Sequence, residues 1–408
     1  MVELPLGEER IEVSLPDCDV TVAEPPGGET VDVREAAEGA VAAPHGPSLA
    51  SIADPDDIVT IVVTDVTRAT PDDVLVDVLL GELERAGVAR EQVTVLLGLG
   101  LHRPMTDAEI AEGLGDHADL ATNHDPDKTV EVGTVDGTPV LVNERVADAD
   151  LVVSTGMVEP HQYAGFSWGA KTVAIGAGGE PLIRYTHGPE MLSRDGVRLG
   201  RVEGNPFRDA VDRAGDAIGL DFCLNVTHGP AGFFGASAGQ PRAVVRDLAE
   251  TGRDALSVPV EREYDTVVAG VGAPKDANLY QATRAATYVA LGDRNPLAPD
   301  GDIVVPARLP EGAGDGAGEK RFYERLSTAS DAAALYEEMR EGYEPGAQRA
   351  FVVARVLRDH DITITDSEHP EVVTDCLMDT APSVDDALEP ESDVLVVPDA
   401  LDTLLVES

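Results

Sequence analysis

The arrangement of apolar runs along the chain constrains the fold more than any other feature of its 408 residues. Short, nearly continuous runs of Val, Ile and Leu alternate with segments whose apolar residues recur at helical spacing. "DIVTIVVTD" (57–65) precedes "PDDVLVDVLLGELERAG", and "QVTVLLGLG" (92–100) precedes "TDAEIAEGL". Strands that are apolar on both faces and are followed by amphipathic helices are typical of a parallel sheet with helices on both sides. The sequence therefore predicts an α/β fold.

A change of pattern predicts two domains, which the chain length also favours. The segment 250–264 is polar and loses the alternation, and a second α/β series begins after it. We expect an N-terminal α/β cofactor-binding and catalytic domain (1–258), a C-terminal α/β substrate-side domain (259–385), and a C-terminal strand or tail that packs back on them (386–408). Both sheets should be mainly parallel. The active site should lie in the interdomain cleft, because ligands of open α/β sheets bind at the carboxyl ends of strands.

The charge of the chain argues against several kinds of partner. Asp and Glu number 76 against 30 Lys and Arg, which gives a formal net charge of −46. Such a surface repels nucleic acid and anionic membranes, so we expect neither as a partner. The acidic residues are scattered and Lys is rare, a composition typical of haloarchaeal proteins in a high-salt cytoplasm, where repulsion is screened. Three separate cysteines without a CxxC spacing also favour a reducing cytoplasm.

Uncommon residues concentrate in stretches that directly follow strand-like runs. These stretches are "TDVTRATP" (64–71), "GLGLHRPMTDAE" (98–109), "EPHQYAGFSWGAK" (159–171) and "GAPKDANLYQATRA" (272–285). The third stretch contains the only tryptophan, Trp168, and one of the four lysines, Lys171. His161, Lys171 and His187 stand at positions i, i+10 and i+26. A lysine inside a histidine frame, in so lysine-poor a chain, predicts a chemical role rather than a solvated surface charge.

The order and spacing of these stretches resemble the nickel-pincer racemase family, whose founding member is lactate racemase, over roughly residues 55 to 400. The elements that carry the resemblance are "TDxTRxxP", "HRPMT", "NHD", the His–Lys–His spacing and "PKDxNLYQA". In that family, pyridinium-3-thioamide-5-thiocarboxylate mononucleotide is tethered to a lysine and holds nickel together with one histidine. The resemblance implies that Lys171 is the tether and His187 the nickel ligand. It implies that His102 and His161 are the two acid/base histidines.

The same resemblance assigns residues at and just after the strand-like run 57–65. It implies that Arg68 binds the substrate carboxylate, for which a guanidinium offers two parallel hydrogen bonds. It also implies that Asp65 and Thr67 contact the nucleotide. Orientation of Arg68 is the alternative role for Asp65. The first domain would therefore hold both the cofactor and one end of the substrate.

Two positions depart from the family pattern. Tyr280, Gln281 and Arg284 can share one helix face and match positions that line the substrate side. Arg284 stands where lactate racemases carry a lysine, for which both general lysine depletion and a larger substrate, such as a dicarboxylate, are open explanations. Trp168 stands in a stretch that is usually glycine-rich. Filling of core space and contact with the substrate or the pyridinium ring are both open for it.

The implied reaction explains why these residue types are needed. The α-hydrogen of a 2-hydroxy acid is too weakly acidic for a side-chain base, whereas its removal as hydride leaves a planar keto acid that can be reduced on either face. Imidazoles suit proton exchange with the hydroxyl group near neutral pH. A soft nickel site accepts a neutral imidazole, and only a lysine amine can form the thioamide. We therefore expect an isomerase, a racemase or epimerase of a lactate-like 2-hydroxy acid, with cofactor-synthesis enzymes as transient partners.

Three other functions stay open at this stage. An epimerase of the same family would act on a larger hydroxy acid or a sugar acid. A zinc- or iron-dependent hydro-lyase or hydrolase would use His102, His161 and His187 as a three-histidine metal set, although Lys171 and the lack of a nearby catalytic carboxylate weigh against it. A non-enzymatic cofactor carrier would have no need of both His102 and His161.

Overall fold

The computed structural model describes residues 1–15, 18–66, 68–342, 344 and 346–407. The strands are β1 (Val2–Leu6), β2 (Glu9–Val13), β3 (Asp19–Val22), β4 (Val59–Val63), β5 (Val93–Leu97), β6 (Ala121–Asn123), β7 (Thr129–Val135), β8 (Thr138–Asn143), β9 (Leu151–Met157), β10 (Pro160–His161), β11 (Gly165–Phe166), β12 (Leu220–Gly229), β13 (Gly232–Gly239), β14 (Ser257–Pro259), β15 (Tyr264–Ala269), β16 (Leu297–Pro306), β17 (Ile362–Thr365), β18 (Asp379–Ala381), β19 (Asp393–Val397) and β20 (Leu404–Val406).

The α-helices vary from single turns to four turns. They are α1 (Val33–Ala42), α2 (Leu49–Ile52), α3 (Asp72–Ala86), α4 (Asp107–Leu114), α5 (Glu144–Ala147), α6 (Glu180–Thr186), α7 (Pro189–Leu192), α8 (Pro206–Ile218), α9 (Pro241–Leu256), α10 (Leu279–Ala290), α11 (Ala317–Ser327), α12 (Ala332–Glu341), α13 (Gln348–Leu357) and α14 (Pro370–Asp375). A π-helical turn, Thr172–Gly176, directly follows Lys171. Turns of this kind are frequent at functional sites.

The chain forms two compact units, each built from separate segments. The central unit consists of Gly27–Thr186 and Arg201–Ala255, and the terminal unit consists of Met1–Pro26, His187–Gly200 and Leu256–Ser408. The first strands belong to the terminal unit because β3 pairs with β19 in its sheet. The domain limits at 258 and 385 remain predictions from the sequence.

The central unit is built on a six-stranded sheet in the order β13-β12-β9-β4-β5-β6. All neighbours pair in parallel except β12 and β13, which form an antiparallel edge. Every residue of β4 and β9 is buried, as expected for central strands covered on both faces. Fully buried side chains of the sheet and of α3 share one core, with Ile61, Leu79, Val95, Val153 and Phe222 among them. The prediction of a mainly parallel α/β sheet is confirmed here.

The terminal unit contains a second six-stranded sheet in the order β18-β17-β16-β15-β19-β3, and all its pairs are parallel. The predicted second α/β series is therefore also confirmed. The tail of the chain forms two strands, whereas a single strand was predicted. Strand β19 lies in the interior of this sheet, and β20 forms a separate pair with β14. The buried run "DVLVV" explains the interior place of β19, since both of its faces are apolar.

Other elements differ from the sequence-based expectation in detail. Residues 250–256 continue α9 rather than forming an irregular boundary segment. The hairpin β7–β8 was not predicted, although its turn carries the Asp136–Gly137 pair that is favoured at tight hairpins. Both turn residues have positive φ angles, 50° and 80°, which the side chain of Asp tolerates and Gly adopts freely. In the described part of the chain, no helix combines the length and apolarity that crossing a bilayer requires.

Candidate active site

The predicted site residues of the central unit lie where neighbouring parallel strands end. Asp65 and Arg68 follow β4, His102 follows β5, and His161 follows β9. From β4 the chain proceeds to its neighbour β5, towards one edge of the sheet. From β9 it proceeds to its neighbour β12, towards the opposite edge. The carboxyl ends of β4 and β9 therefore flank the point at which ligands bind to open α/β sheets.

His102 is oriented by a buried carboxylate. Its Nδ1 lies 2.5 Å from Oδ2 of Asp65, and the side chains of the two residues are 62% and 7% exposed. Because a carboxylate only accepts hydrogen bonds, Nδ1 of His102 carries the hydrogen, and the neutral ring has its lone pair at Nε2. An exposed imidazole in this state can accept a proton.

His161 is held in the opposite way. Its Nδ1 accepts hydrogen bonds from the backbone N–H groups of Tyr163 (3.2 Å) and Ala164 (3.1 Å). The ring also contacts Tyr163 edge-on at 5.6 Å and lies 6.2 Å from the ring of Phe207. Because backbone N–H groups only donate, the neutral His161 ring carries its hydrogen at Nε2. The two histidines thus start from different tautomers.

Lys171 is a buried amine. The residue is 7% exposed, and its Nζ lies 5.1 Å from the ring centroid of Trp168. Burial lowers the pKa of Lys171 to about 7, and the positive charges of Arg68 and Arg208 act in the same direction. The negative charges of Glu159 and Asp65 oppose them. Near neutral pH a large fraction of Lys171 is therefore uncharged.

Arg68 is paired with a carboxylate that the sequence did not single out. Its Nη1 lies 2.9 Å from Oε1 of Glu159, and both side chains are about one-fifth exposed, at 21% and 19%. Oε2 of Glu159 also lies 3.5 Å from Nε2 of His228. The position of Glu159 directly after β9, next to Pro160 and His161, was the available signal for it, since polar residues there reach the carboxyl edge of the sheet.

Trp168 occupies a strained position in this cluster. It is 6% exposed, its φ angle is 62°, and Arg68 Cζ lies 5.5 Å from its ring centroid. A left-handed backbone is unusual for a bulky residue and persists only where the surroundings hold it. Gly156 is part of those surroundings, because a Cβ atom at that position would lie 2.9 Å from Cβ of Trp168. Among the described residues nothing accepts a hydrogen bond from the buried Nε1 of Trp168.

Arg208 is a second residue of the site that the sequence did not single out. It lies on α8, is 2% exposed, and donates to backbone carbonyl groups of the segment that leads to Lys171. In sequence it reads as one of many arginines at helical spacing. Only its burial and its partners distinguish it from the surface arginines.

The remaining predicted residues belong to the terminal unit. His187 is half-buried in the turn that follows α6. Tyr280, Gln281 and Arg284 lie in the first turns of α10, after the carboxyl end of β15, and are half-buried. Tyr280 packs edge-on against Phe322 at 5.6 Å. Within the described chain, no hydrogen-bond partner is present for the buried Oε1 of Gln281 or the buried Nε of Arg284.

Two further points concern the predicted cofactor contacts. Thr67, a predicted nucleotide contact, lies outside the described residues. In the part of the chain that is described, no group of three or more His, Cys, Asp or Glu side chains is arranged to hold a metal ion. The cofactor and metal assignments of individual residues therefore remain predictions.

Comparison with known proteins identifies the family. Residues 6–200 match the model of the lactate racemase N-terminal domain, and residues 261–404 match that of the lactate racemase C-terminal domain. The chain is 27% identical to lactate racemase from Lactiplantibacillus plantarum over 85% of this chain and 84% of that protein. It is 26% identical to lactate racemase from Thermoanaerobacterium thermosaccharolyticum over 100% and 99% of the two chains.

Solved structures show the same fold. The lactate racemase apoprotein from Thermoanaerobacterium thermosaccharolyticum superimposes with a TM-score of 0.88 at 24% identity and covers all of both chains. A protein from Thermotoga maritima superimposes with a TM-score of 0.64 at 17% identity, over 90% of this chain and 96% of that one. Because the two matched domain models together span most of the sequence, this chain belongs to the lactate racemase family and is an isomerase.

Proposed function

We propose that this isomerase interconverts the stereoisomers of a lactate-like 2-hydroxy acid with a nickel-pincer nucleotide attached to Lys171. One observation carries the proposal: Asp65 binds His102 and also acts electrostatically on Lys171, so a proton-accepting ring and a buried amine belong to one cluster. Two relatives named lactate racemase support the same substrate class. The cytoplasm at high salt is the proposed location, from the charge of the chain.

The residues of this chain fit a cofactor that is joined through an amine. Lys171 has a pKa of about 7, so its lone pair is available near neutral pH. His187 would offer the nickel one imidazole, a donor that suits a soft, sulfur-rich site. When bound, the nucleotide would supply the acceptor for the α-hydrogen, which leaves the substrate as hydride.

The protein's part in the reaction is to move the hydroxyl proton. Nε2 of His102 would accept that proton, and Asp65 would stabilise the resulting imidazolium through Nδ1. His161 would donate a hydrogen bond from Nε2 to the substrate oxygen. To exchange a proton it must first release the two backbone N–H groups that hold Nδ1. The two histidines are therefore unequal in this structure, and their alternation as acid and base remains a prediction.

Arg68 would bind the substrate carboxylate. Only Nη1 of its guanidinium is committed to Glu159 in the contact described, and the group has five N–H donors in a planar fork. Glu159 would balance the charge of Arg68 before an anionic substrate arrives. The same carboxylate contacts His228, so its charge is shared between two basic groups.

A larger hydroxy acid or sugar acid is the second candidate substrate class. It is favoured by the buried Oε1 of Gln281 and Nε of Arg284, which have no hydrogen-bond partner among the residues that the structure describes. Buried polar atoms in native proteins are usually paired, so an additional polar group on a substrate would satisfy them. Arg284 would be the residue that separates the two classes.

The test is a stereochemical assay in heavy water. The matured protein, produced with the cofactor-synthesis enzymes, is incubated in high-salt D₂O with one enantiomer of lactate, of a 2-hydroxy dicarboxylate or of a sugar acid. Polarimetry follows the loss of optical activity, and mass spectrometry follows deuterium at the α-carbon. We expect racemisation or epimerisation without α-deuterium, because hydride does not exchange with solvent.

Each outcome of this assay separates the alternatives. Stereochemical change with deuterium at the α-carbon would overturn the hydride mechanism in favour of proton abstraction. Formation of an unsaturated acid would indicate a hydro-lyase. No change with any of the three substrates, on protein whose intact mass includes the nucleotide, would overturn the proposed function. A preference for the dicarboxylate that disappears in Arg284→Lys would select the second substrate class.

A further inference from the structure

We infer that Arg208 is a positioning residue that fixes the backbone leading to Lys171 and, together with Arg68, favours the nucleophilic form of the Lys171 amine. The inference deepens the proposed function and rests on it for the identity of the group that Lys171 attacks. The reactivity of the amine itself rests on contacts, burial and charge within the central unit.

Arg208 holds the segment between His161 and Lys171 from one side. Its Nη1 donates to the carbonyl of Trp168 (2.9 Å), its Nη2 to the carbonyl of Phe166, and its Nε approaches the carbonyl of Ala164 at 3.5 Å. Three alternate carbonyl groups of one short segment are thus bound by a single planar group. A lysine ammonium has no comparable fork and cannot reproduce this geometry.

Neighbouring residues reinforce the same segment. Asn205, the N-cap of α8, donates from Nδ2 to the carbonyls of Tyr163 (2.8 Å) and Arg201 (2.9 Å). Gly165 has a φ angle of 75°, and a Cβ atom there would lie 1.9 Å from the carbonyl oxygen of Arg201. The backbone between His161 and Lys171 therefore has little freedom, and α8 sets its position.

The charges around Lys171 favour the neutral amine. Arg208 is nearly inaccessible, and its partner Asp212 is 3.5 Å away, so its positive charge is only partly balanced. Arg208 and Arg68 both lower the pKa of Lys171, in addition to the larger effect of burial, whereas Glu159 and Asp65 raise it. The net result is a pKa of about 7. A group that attacks an acyl or thioacyl carbon must be in this uncharged form.

The four lysines of the chain allow the inference to be tested in one sample. The full-length protein, produced without the cofactor-synthesis enzymes, is labelled with trace acetic anhydride at a series of pH values in high salt. The Nζ lone pair forms a C–N bond to one carbonyl carbon, the C–O bond to the acetate breaks, and the amine proton leaves with acetic acid. Peptide mass spectrometry then compares Lys171 with the exposed Lys128 and Lys320, whose side chains are 62% and 66% exposed.

We expect Lys171 to reach half-maximal labelling near pH 7, about three pH units below a solvated lysine, which has a pKa of about 10.4. A midpoint within one unit of the curves measured for Lys128 and Lys320 would overturn the inference. Absence of labelling of Lys171 at any pH would overturn it as well, because an attachment amine must be reachable.

Variants separate the charge of Arg208 from its hydrogen bonds. Arg68→Gln removes one charge and leaves the hydrogen bonds from Arg208 to the segment in place, and it should raise the Lys171 midpoint by about one pH unit. Arg208→Lys keeps the charge but loses the fork. It should leave the midpoint near that of the wild type and increase quenching of Trp168, the only tryptophan, by acrylamide. Arg208→Gln should change both readouts.

Arg213→Gln is the matched control on the same helix. Arg213 is 40% exposed and pairs with Asp136, so its loss should change neither the midpoint nor the quenching. If Arg208→Gln does not fold, Arg68→Gln still tests the charge effect and Arg208→Lys the positioning effect. An unchanged midpoint in Arg68→Gln together with unchanged quenching in Arg208→Lys would reject the roles of both arginines.

The proposed function can fail independently of this inference. Protein produced with the cofactor-synthesis enzymes should gain the mass of one nucleotide, and Lys171→Ala should lose it. A low labelling midpoint without any mass gain on maturation would preserve the activated amine and reject the proposed tether. A full mass gain with an ordinary midpoint would preserve the tether and reject the activation.

Discussion

The two candidate histidines differ at the scale of single atoms. The Nδ1 atom of His102 faces a carboxylate that accepts, and that of His161 faces two N–H groups that donate. The same side chain is therefore prepared as a proton acceptor at one position and as a hydrogen-bond donor at the other. Asp65 is the residue that makes this difference, because it determines which nitrogen of His102 carries the hydrogen.

Asp65→Asn should impair catalysis without removing the histidine. The amide can offer its NH₂ group to Nδ1 and favour the wrong tautomer of His102, so we expect kcat to fall about 100-fold or more with little change in KM. Steady-state kinetics with enantiopure lactate over a range of pH values would measure the effect. Asp107→Asn, an exposed carboxylate in the first turn of α4, is the control. Equal kcat and pH profiles in wild type and Asp65→Asn would rule out the orienting role.

At the scale of elements, a single buried carboxylate joins three parts of the central unit. Asp72 is the first residue of α3, and its two oxygens accept hydrogen bonds from the hydroxyl of Thr64 after β4 (2.8 Å) and of Thr155 in β9 (2.5 Å). Thr172, the neighbour of Lys171, donates in turn to the carbonyl of Thr155 (3.1 Å). The switch point of the sheet is thus connected to the segment that carries the amine.

Asp72 should make stability depend on pH. Burial raises the pKa of Asp72 to about 7, so the folded state binds this proton more tightly than the unfolded chain does. The stabilisation is fully present below the unfolded pKa of about 3.9 and is lost as pH rises through about 7. We therefore expect the denaturant midpoint of the wild type to fall from pH 4 to 7 relative to that of Asp72→Asn.

Chemical denaturation in high salt at several pH values measures this difference. Asp73→Asn, an exposed carboxylate next in sequence, should follow the wild type. Parallel pH curves for wild type and Asp72→Asn would show that Asp72 is not the responsible group.

At the scale of the whole molecule, the net charge of −46 opposes the compact state. The Debye length falls from about 10 Å at 0.1 M to about 3 Å at 1 M salt, so multimolar salt removes most of this repulsion. We expect the thermal midpoint to rise by about 10 °C or more between 0.1 M and multimolar KCl, which corresponds to about 9 kcal/mol for a chain of 408 residues. Calorimetry checks this, with sucrose as an uncharged control solute. A midpoint that falls or stays constant with KCl would contradict the screening argument.

Much of the architecture could be predicted from local patterns. The apolar runs at β4 and β5 predicted strands, and a parallel sheet followed because each run is apolar on both faces. The family was predicted from motif order and is confirmed by the matched domains. The hairpin β7–β8 and the separate strand β20 were missed, since short strands with mixed exposure carry a weak periodic signal.

The candidate site was only partly predictable. The sequence indicated His102, His161 and Lys171, because uncommon residue types after strands stand out in a lysine-poor chain. It did not indicate Glu159 as a partner of Arg68 or Arg208 as a partner of the segment before Lys171. Those contacts join residues 91 and about 40 positions apart, and no spacing rule predicts them.

The sequence by itself determined the α/β class, the strands whose ends carry the polar residues, and the family. These depend on apolar periodicity and on motif order, which are local or linear properties of a chain. Only the tertiary structure decided the tautomers of His102 and His161, the lowered pKa of Lys171 and the strained backbone of Trp168. Each of these depends on which donors, charges and carbonyl groups surround an atom, and folding alone brings those groups together.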